Sequence, residues 1–187
     1  MPLKSKTLVI TKQSSVKKSN INNQKAAKMR RQRGYHWEDT IVKRFNGTPK
    51  WRAFRLGSPS IALPDVLAVN NENEELFTIE AKSGTSTSLP VPADQIERCL
   101  DWIETFGVYK KRNVLLAFKF LSKKRLGIGK YENRELREFF KIWDTSLEIT
   151  DCVCTYDGKI FAKSNGEKKE LFLKECLMPF KTKQRQI

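Results

Sequence analysis

Asp65 and Glu80, fifteen residues apart in this 187-residue chain, are two carboxylates whose settings suit shared chemistry. Asp65 follows Pro64 at the start of one apolar stretch, and Glu80 stands two residues before Lys82 at the end of the next. Side chains alternate along a strand, so Glu80 and Lys82 share one face while Phe77, Ile79 and Ala81 share the other. A hairpin between the stretches brings Asp65 level with that pair. Two hard oxygen ligands on a rigid sheet suit Mg²⁺, which takes one or two carboxylates and fills its shell with water and phosphate oxygens; Mn²⁺ is expected to substitute. Such an ion polarises a phosphoryl oxygen. Lys82 beside it could orient or help deprotonate a water and offset the charge growing on the phosphorus oxygens.

Glu-x-Lys alone is a weak signal. Glu167–Lys168–Lys169 also fits and reads as a solvated helix face, and a surface strand can carry such a pair with no chemistry attached. Two details favour the first site: Glu80 and Lys82 end an apolar strand, and Pro64–Asp65 is the sole Pro-Asp in the chain. Glu38 adds a third carboxylate. Ile41, Val42 and Phe45 follow it by three, four and seven positions, so it lies on the apolar face of its own helix. A lone buried glutamate is costly, so Glu38 needs a partner, whether the acidic site or an arginine at the domain edge.

The elements that must position these groups can be read around them. Helical spacing covers Ala26 to Phe45 and stops at Gly47 and Pro49. Trp51 to Leu56 alternates as a strand, the Gly57–Ser58–Pro59–Ser60 segment turns, and Asp65 to Val69 is a second strand. Asn70 to Asn73 turns the chain into Leu76–Lys82, and Ser83 to Pro92 reads as a polar loop. Ile96, Cys99, Leu100, Ile103 and Phe106 give one stripe of a helix over Ala93–Phe106, and Val114–Phe120 is a buried central strand. The order α-β-β-β-α-β predicts an α/β fold with a mixed sheet flanked by helices. Beyond it, Arg134–Trp143 has helical spacing, Ile149–Tyr156 and Lys159–Ala162 form a hairpin around Asp157–Gly158, and Glu167–Leu177 suggests a last helix. The expected organisation is an arm (1–25), a core (26–120), a C-terminal α+β extension packed on it (121–180) and a tail (181–187).

Charge sharpens this picture. The chain carries 36 Lys and Arg against 21 Asp and Glu, a formal +15. Residues 1–34 hold ten basic residues, Arg30, Arg31 and Arg33 among them, and no acid; the last seven hold three more. The body between keeps 23 basic residues against 21 acids, close to balance. Basic ends on a neutral body point to a phosphate-bearing partner. Residues 1–25, rich in Lys, Ser, Asn and Gln, bury too little to offset their ordering entropy and read as disordered; their lack of Arg argues against a transit peptide. No apolar run reaches the ~18 residues of a membrane span, and Leu8–Ile10 is too short for a signal peptide. A cytoplasmic, nucleoid-associated protein with no membrane partner is expected. Four cysteines without CxxC spacing and a single histidine disfavour zinc.

Taken together, Arg33–Gly34, Glu38, Ile41–Val42, Phe54–Arg55–Leu56–Gly57–Ser58–Pro59–Ser60, Leu63–Pro64–Asp65–Val66–Leu67–Ala68, Ile79–Glu80–Ala81–Lys82 and Val91–Pro92…Gln95 resemble the archaeal Holliday junction resolvase family. That family lies within the restriction-endonuclease-like nucleases with a PD…(D/E)xK site, and the resemblance runs from about Arg33 to Phe120. It implies a restriction-endonuclease-like fold and a Mg²⁺-dependent endonuclease. In that reading Asp65 and Glu80 are the principal metal ligands, Glu38 completes the acidic site and Lys82 is the catalytic lysine. Arg55, Ser58 and Ser60 approach the DNA backbone, and Gln95 supports the site from behind. Family members are homodimers whose two sites nick opposed strands of a four-way junction. The arm and the C-terminal sixty residues depart from the compact pattern.

Other candidates carry less. Cys152 and Cys154 share a strand face and read as core, and Trp37, Trp51, Trp102 and Trp143 as core or interface anchors. Lys110–Lys111–Arg112 and Lys123–Lys124–Arg125 either extend a phosphate-binding surface or are solvated loops. Two rival functions stand beside the resolvase: a restriction or repair nuclease cutting duplex or flapped DNA, and a basic nucleic-acid-binding protein without catalysis.

Overall fold

The computed structural model describes residues 24, 27–29, 31–56, 62–164 and 167–178. Arg30, Ser58, Ser60, the 181–187 tail and nearly all of the 1–25 arm lie outside them.

Helix α1 (31–46) leads into β1 (Arg52–Arg55), β2 (Val66–Asn70) and β3 (Glu75–Gly84). Then come β4 (Ser88–Val91), α2 (Ala93–Thr105) and β5 (Lys111–Phe120). The chain continues through β6 (Lys123–Arg125), β7 (Tyr131–Asn133), β8 (Arg137–Ile142), β9 (Cys152–Thr155), β10 (Ile160–Ser164), β11 (Glu167–Leu171) and β12 (Lys174–Glu175). The main sheet runs β1-β2-β3-β5-β8-β12, antiparallel throughout except for the parallel β3–β5 pair at its centre. A parallel pair needs a crossover connection, and here α2 lies within it.

Each face of the sheet has its own core. Trp37, Ile41 and Phe45 of α1 pack with Phe77, Ile79, Ala81, Leu115 and Ala117 on one side. On the other, Ile96, Cys99 and Ile103 of α2 meet Leu76, Leu116 and Phe118, together with Cys152, Cys154 and Ile160 of the second sheet. That sheet, β11-β10-β9-β4, therefore shares its face with α2. Trp37, Trp51 and Trp143 are buried as expected, whereas Trp102 is half-buried and donates to Ala62 O at 3.0 Å. Cys152 and Cys154 are buried free thiols. Among the described residues no helix is long and apolar enough to cross a membrane.

Three local expectations change. The loop read over Ser83–Pro92 contains β4, with Leu89 and Val91 buried; Pro90 is tolerated because β4 is an edge strand paired only with β9. The helix read over Arg134–Trp143 is instead strand β8. Its Phe139 packs into the α2-side core and Phe140 into the α1-side core, so a strand buried on both faces imitates helical spacing. The helix read over Glu167–Leu177 is β11 and β12, where pairing with β10 and β8 overrides the helix propensity of Glu, Lys and Leu. The hairpin around Asp157–Gly158 forms as expected, with Gly158 at φ +83°.

Candidate active site

The β2–β3 register pairs Val66 with Ile79, which sets Asp65, the residue before β2, level with Glu80. Asp65 Oδ2 accepts the Ala81 N–H at 2.8 Å, so the carboxylate is tied to the strand that carries its partners. Alternation along β3 then separates two jobs. Phe77, Ile79 and Ala81 enter the α1-side core; Thr78, Glu80 and Lys82 face α2, where the Thr78 hydroxyl donates to Cys99 O at 3.0 Å.

Glu80 is only 1% exposed, yet each of its oxygens has a cation. Lys82 Nζ lies 2.5 Å from Oε1, and Arg98 Nη2 of α2 lies 3.0 Å from Oε2. Burial still raises the Glu80 pKa above its ordinary value; Lys82 opposes the shift and the neighbouring Asp65 charge adds to it. Glu38 comes from α1, held over the sheet by the Trp37 Nε1–H donating to Ala117 O at 3.1 Å. It is 8% exposed, and its pKa is pushed up to about 7 by burial first and by Asp65 second, against the pull of Arg55. Arg55 of β1 lies 3.9 Å from Glu38 and 3.5 Å from Asp39, with its guanidinium over the Tyr35 ring. The acidic site and the edge arginine offered as alternatives for Glu38 are thus both present.

Glu38, Asp65, Glu80, Lys82 and Arg55 converge. Arg33 lies one turn before Glu38's own, and its carbonyl accepts the Ser83 hydroxyl at 3.2 Å, fastening α1 to the end of β3; Arg31 is exposed. Gln95 sits half-buried in the first turn of α2 with its Oε1 buried and without a hydrogen-bond partner. The α2 contact to Glu80 is made by Arg98, which the sequence reading missed. Its signal was there to be read: Arg98 is the one base in a helix carrying Asp94, Glu97, Asp101 and Glu104.

Among the described residues no three acids, histidines or cysteines are gathered as a ready metal cage. The donor set nevertheless fits a hard divalent ion. It consists of carboxylates alone, and the Asp65 charge raises the pKa of both Glu38 and Glu80, a repulsion that a cation relieves.

A mixed sheet between helices, with acids from the first helix, the entry to the second strand and the third strand meeting at one place, defines the restriction-endonuclease-like nuclease class. The family model of the archaeal Holliday junction resolvase (Hjc) matches residues 29–155, and the chain belongs to that family. It is accordingly an endonuclease of four-way DNA junctions, from a family that uses divalent metal ions. The match passes Phe120, where the resemblance in the motifs ends, and takes in β8 and β9. The crystal structure of the Holliday junction resolvase Hjc from the hyperthermophile Archaeoglobus fulgidus is similar over 67% of this chain and 85% of that one, with 18% identity and a TM-score of 0.45. No curated protein matches the chain.

Proposed function

We propose that the protein resolves four-way junctions by paired Mg²⁺-dependent nicks on opposed strands, acting as a homodimer. The observation that carries this reading is the two-cation grip on Glu80, placed level with Asp65 and beside Glu38. Bound by Asp65 and Glu80, with Glu38 completing the set, Mg²⁺ supplies Lewis acidity toward a phosphoryl oxygen.

The chain's own groups do the rest. Arg98 favours the ionised form of Glu80 and orients it from α2. Lys82, the more exposed of its two cations, orients the attacking water and neutralises charge developing on the phosphorus oxygens. Arg55, Arg33 and the Ser58–Ser60 segment steer the phosphodiester backbone to the acids, and Gln95 backs the site from the start of α2. The acid-free ends add salt-dependent, sequence-blind affinity. One chain offers one such site among the described residues, and two nicks on opposed strands require two sites, hence two copies. Its place of work is the nucleoid, where its substrate forms.

The test incubates purified protein with Mg²⁺ or Mn²⁺ and labelled four-way junction, linear duplex or flap DNA. Symmetric paired nicks confined to the junction are expected. Asp65→Asn, Glu80→Gln and Lys82→Ala should each abolish cutting while a gel shift with the junction survives. Full cleavage by any of the three variants overturns the assignment of the site.

A further inference from the structure

The Lys123–Lys124–Arg125 cluster, which sequence leaves between a binding surface and a solvated loop, is a structured arm. Strands β6 and β7 pair as a separate two-stranded ribbon with Lys123 opposite Asn133, Lys124 opposite Glu132 and Arg125 opposite Tyr131. Directly opposed residues share a face. One face therefore carries Lys123, Arg125, Tyr131 and Asn133, while on the other Lys124 is neutralised by Glu132 at 3.6 Å. Among the described residues Lys123, Arg125 and the tip lysine Lys130 form no ion pair, and all three are exposed.

An isolated two-stranded ribbon is marginally stable in water, so its base must be fastened. The fastening leads to the active site. Leu121 N–H and Arg125 N–H donate to Gly84 O and Thr85 O at 2.9 and 3.0 Å, two and three residues beyond Lys82. Arg134 closes the base, donating to Leu121 O at 2.8 Å and to Ser86 O at 2.9 Å. The ribbon leaves the body at the same end of β3 that carries the candidate lysine. Its tip, Leu126–Gly127–Ile128–Gly129, exposes 59% of Leu126 and 95% of Ile128, with Gly129 at φ +72° making the turn. Two bare aliphatic side chains at the point of a basic ribbon are poorly suited to water, and a lysine-lined edge alone does not call for them.

We infer that the β6–β7 ribbon is a DNA wedge: its Lys123/Arg125 face lies along phosphates and its Leu126/Ile128 tip enters the unstacked branch point of the junction. A two-stranded ribbon fits a major groove, and aliphatic wedges between bases are an established way to hold DNA open. The branch point is favoured over an intact step because its bases are already partly unstacked, which lowers the cost of insertion. The inference rests on the junction-cutting reading above, but it is tested by binding, in Ca²⁺ or EDTA, so the two can fail separately.

The experiment uses the full chain, a four-way junction with 2-aminopurine at the branch point, and a linear duplex of the same sequence. Wild type should brighten the 2-aminopurine on binding. Leu126→Ser combined with Ile128→Ser, both at exposed positions, should remove that signal and lower the junction-over-duplex preference about tenfold, leaving the salt slope unaltered. Lys123→Ser with Arg125→Ser should instead weaken junction and duplex alike and flatten the salt slope by about two. The wedge is overturned if the tip variant keeps the full fluorescence change, or if wild type never shows one. It is also overturned if the tip variant alters self-association while base stacking stays as in wild type, since the tip would then be a protein contact. Failure of wild type to cut junctions would sink the nuclease reading without bearing on these signals.

Discussion

Arg98 Nη2 lies 3.0 Å from Oε2 of Glu80, on the oxygen opposite the one that meets Lys82. A carboxylate 1% exposed can stay ionised only with such partners, and α2 supplies the one that has no other candidate role at the site. Arg98→Met should cost about 2–3 kcal/mol by urea denaturation, since it leaves a buried charge with one partner of two. It should also raise the Glu80 pKa further, so that Mn²⁺ affinity, read by calorimetry at neutral pH, falls. Arg98→Lys should restore part of both. A variant with wild-type metal affinity and only a lower stability would reduce Arg98 to a packing residue.

Two carboxylates, Glu38 on α1 and Glu138 on β8, should give the metal-free protein a peaked stability profile. Glu38 has its pKa raised from 4.5 to about 7, so the folded state holds its proton more tightly than the unfolded one. Its contribution is complete below the ordinary value and is lost as pH rises through about 7; the ceiling is ~3 kcal/mol. Glu138 behaves oppositely. Burial pushes its pKa up, but its hydrogen bond to Arg44 and the charges of Arg44 and Lys119 outweigh this and leave it lowered. Its contribution is present above the ordinary value and lost as pH falls through the lowered one. Urea midpoints in EDTA from about pH 3 to about pH 9 should show both limbs. Glu38→Gln should flatten the alkaline limb and Glu138→Gln the acid limb, and added Mg²⁺ should stabilise more at alkaline than at acid pH.

Gly158 is irreplaceable for two independent reasons. It sits at φ +83°, and an added Cβ would stand 2.6 Å from the Phe139 ring of β8. Gly158→Ala should cost roughly 2–4 kcal/mol, strain and overpacking combined. A Phe139→Leu background, which trims the ring, should recover the overpacking share alone. Equal loss in both backgrounds would assign the whole cost to the backbone.

Removing residues 1–25 takes away six lysines and no acid. If the arm adds only charge, as proposed, junction affinity should fall and its dependence on salt should flatten, while the nick positions stay fixed. Cleavage mapping on the truncated protein checks this. Shifted nicks would mean that the arm takes part in positioning the junction.

Much of the candidate site's geometry was legible because strand alternation and hairpin register are local rules. Asp65, Glu80 and Lys82 could be placed from spacing alone, and Glu38 from the stripe it shares with Ile41 and Phe45. Arg98 stands out as the lone base of its helix, but its pairing with Glu80 could not be placed, because it depends on how α2 crosses the sheet, a relation that no short window of sequence contains. The misread strands failed for a related reason. Phe139 and Phe140 each face a different core, and only the sheet's full order shows that both sides of β8 are covered. Pro90 disguised β4 in the same way, since its tolerance rests on that strand's edge position.

The parallel β3–β5 pairing has a consequence for how the molecule comes into being. Glu80 gains Arg98 only when the chain has passed through α2, and α1 is anchored only when Ala117, eighty residues after Trp37, is in place. Contacts of such long range form late and together. A nascent chain still emerging from the ribosome thus carries its acids as scattered, solvated side chains, and the candidate site is assembled only with the finished sheet.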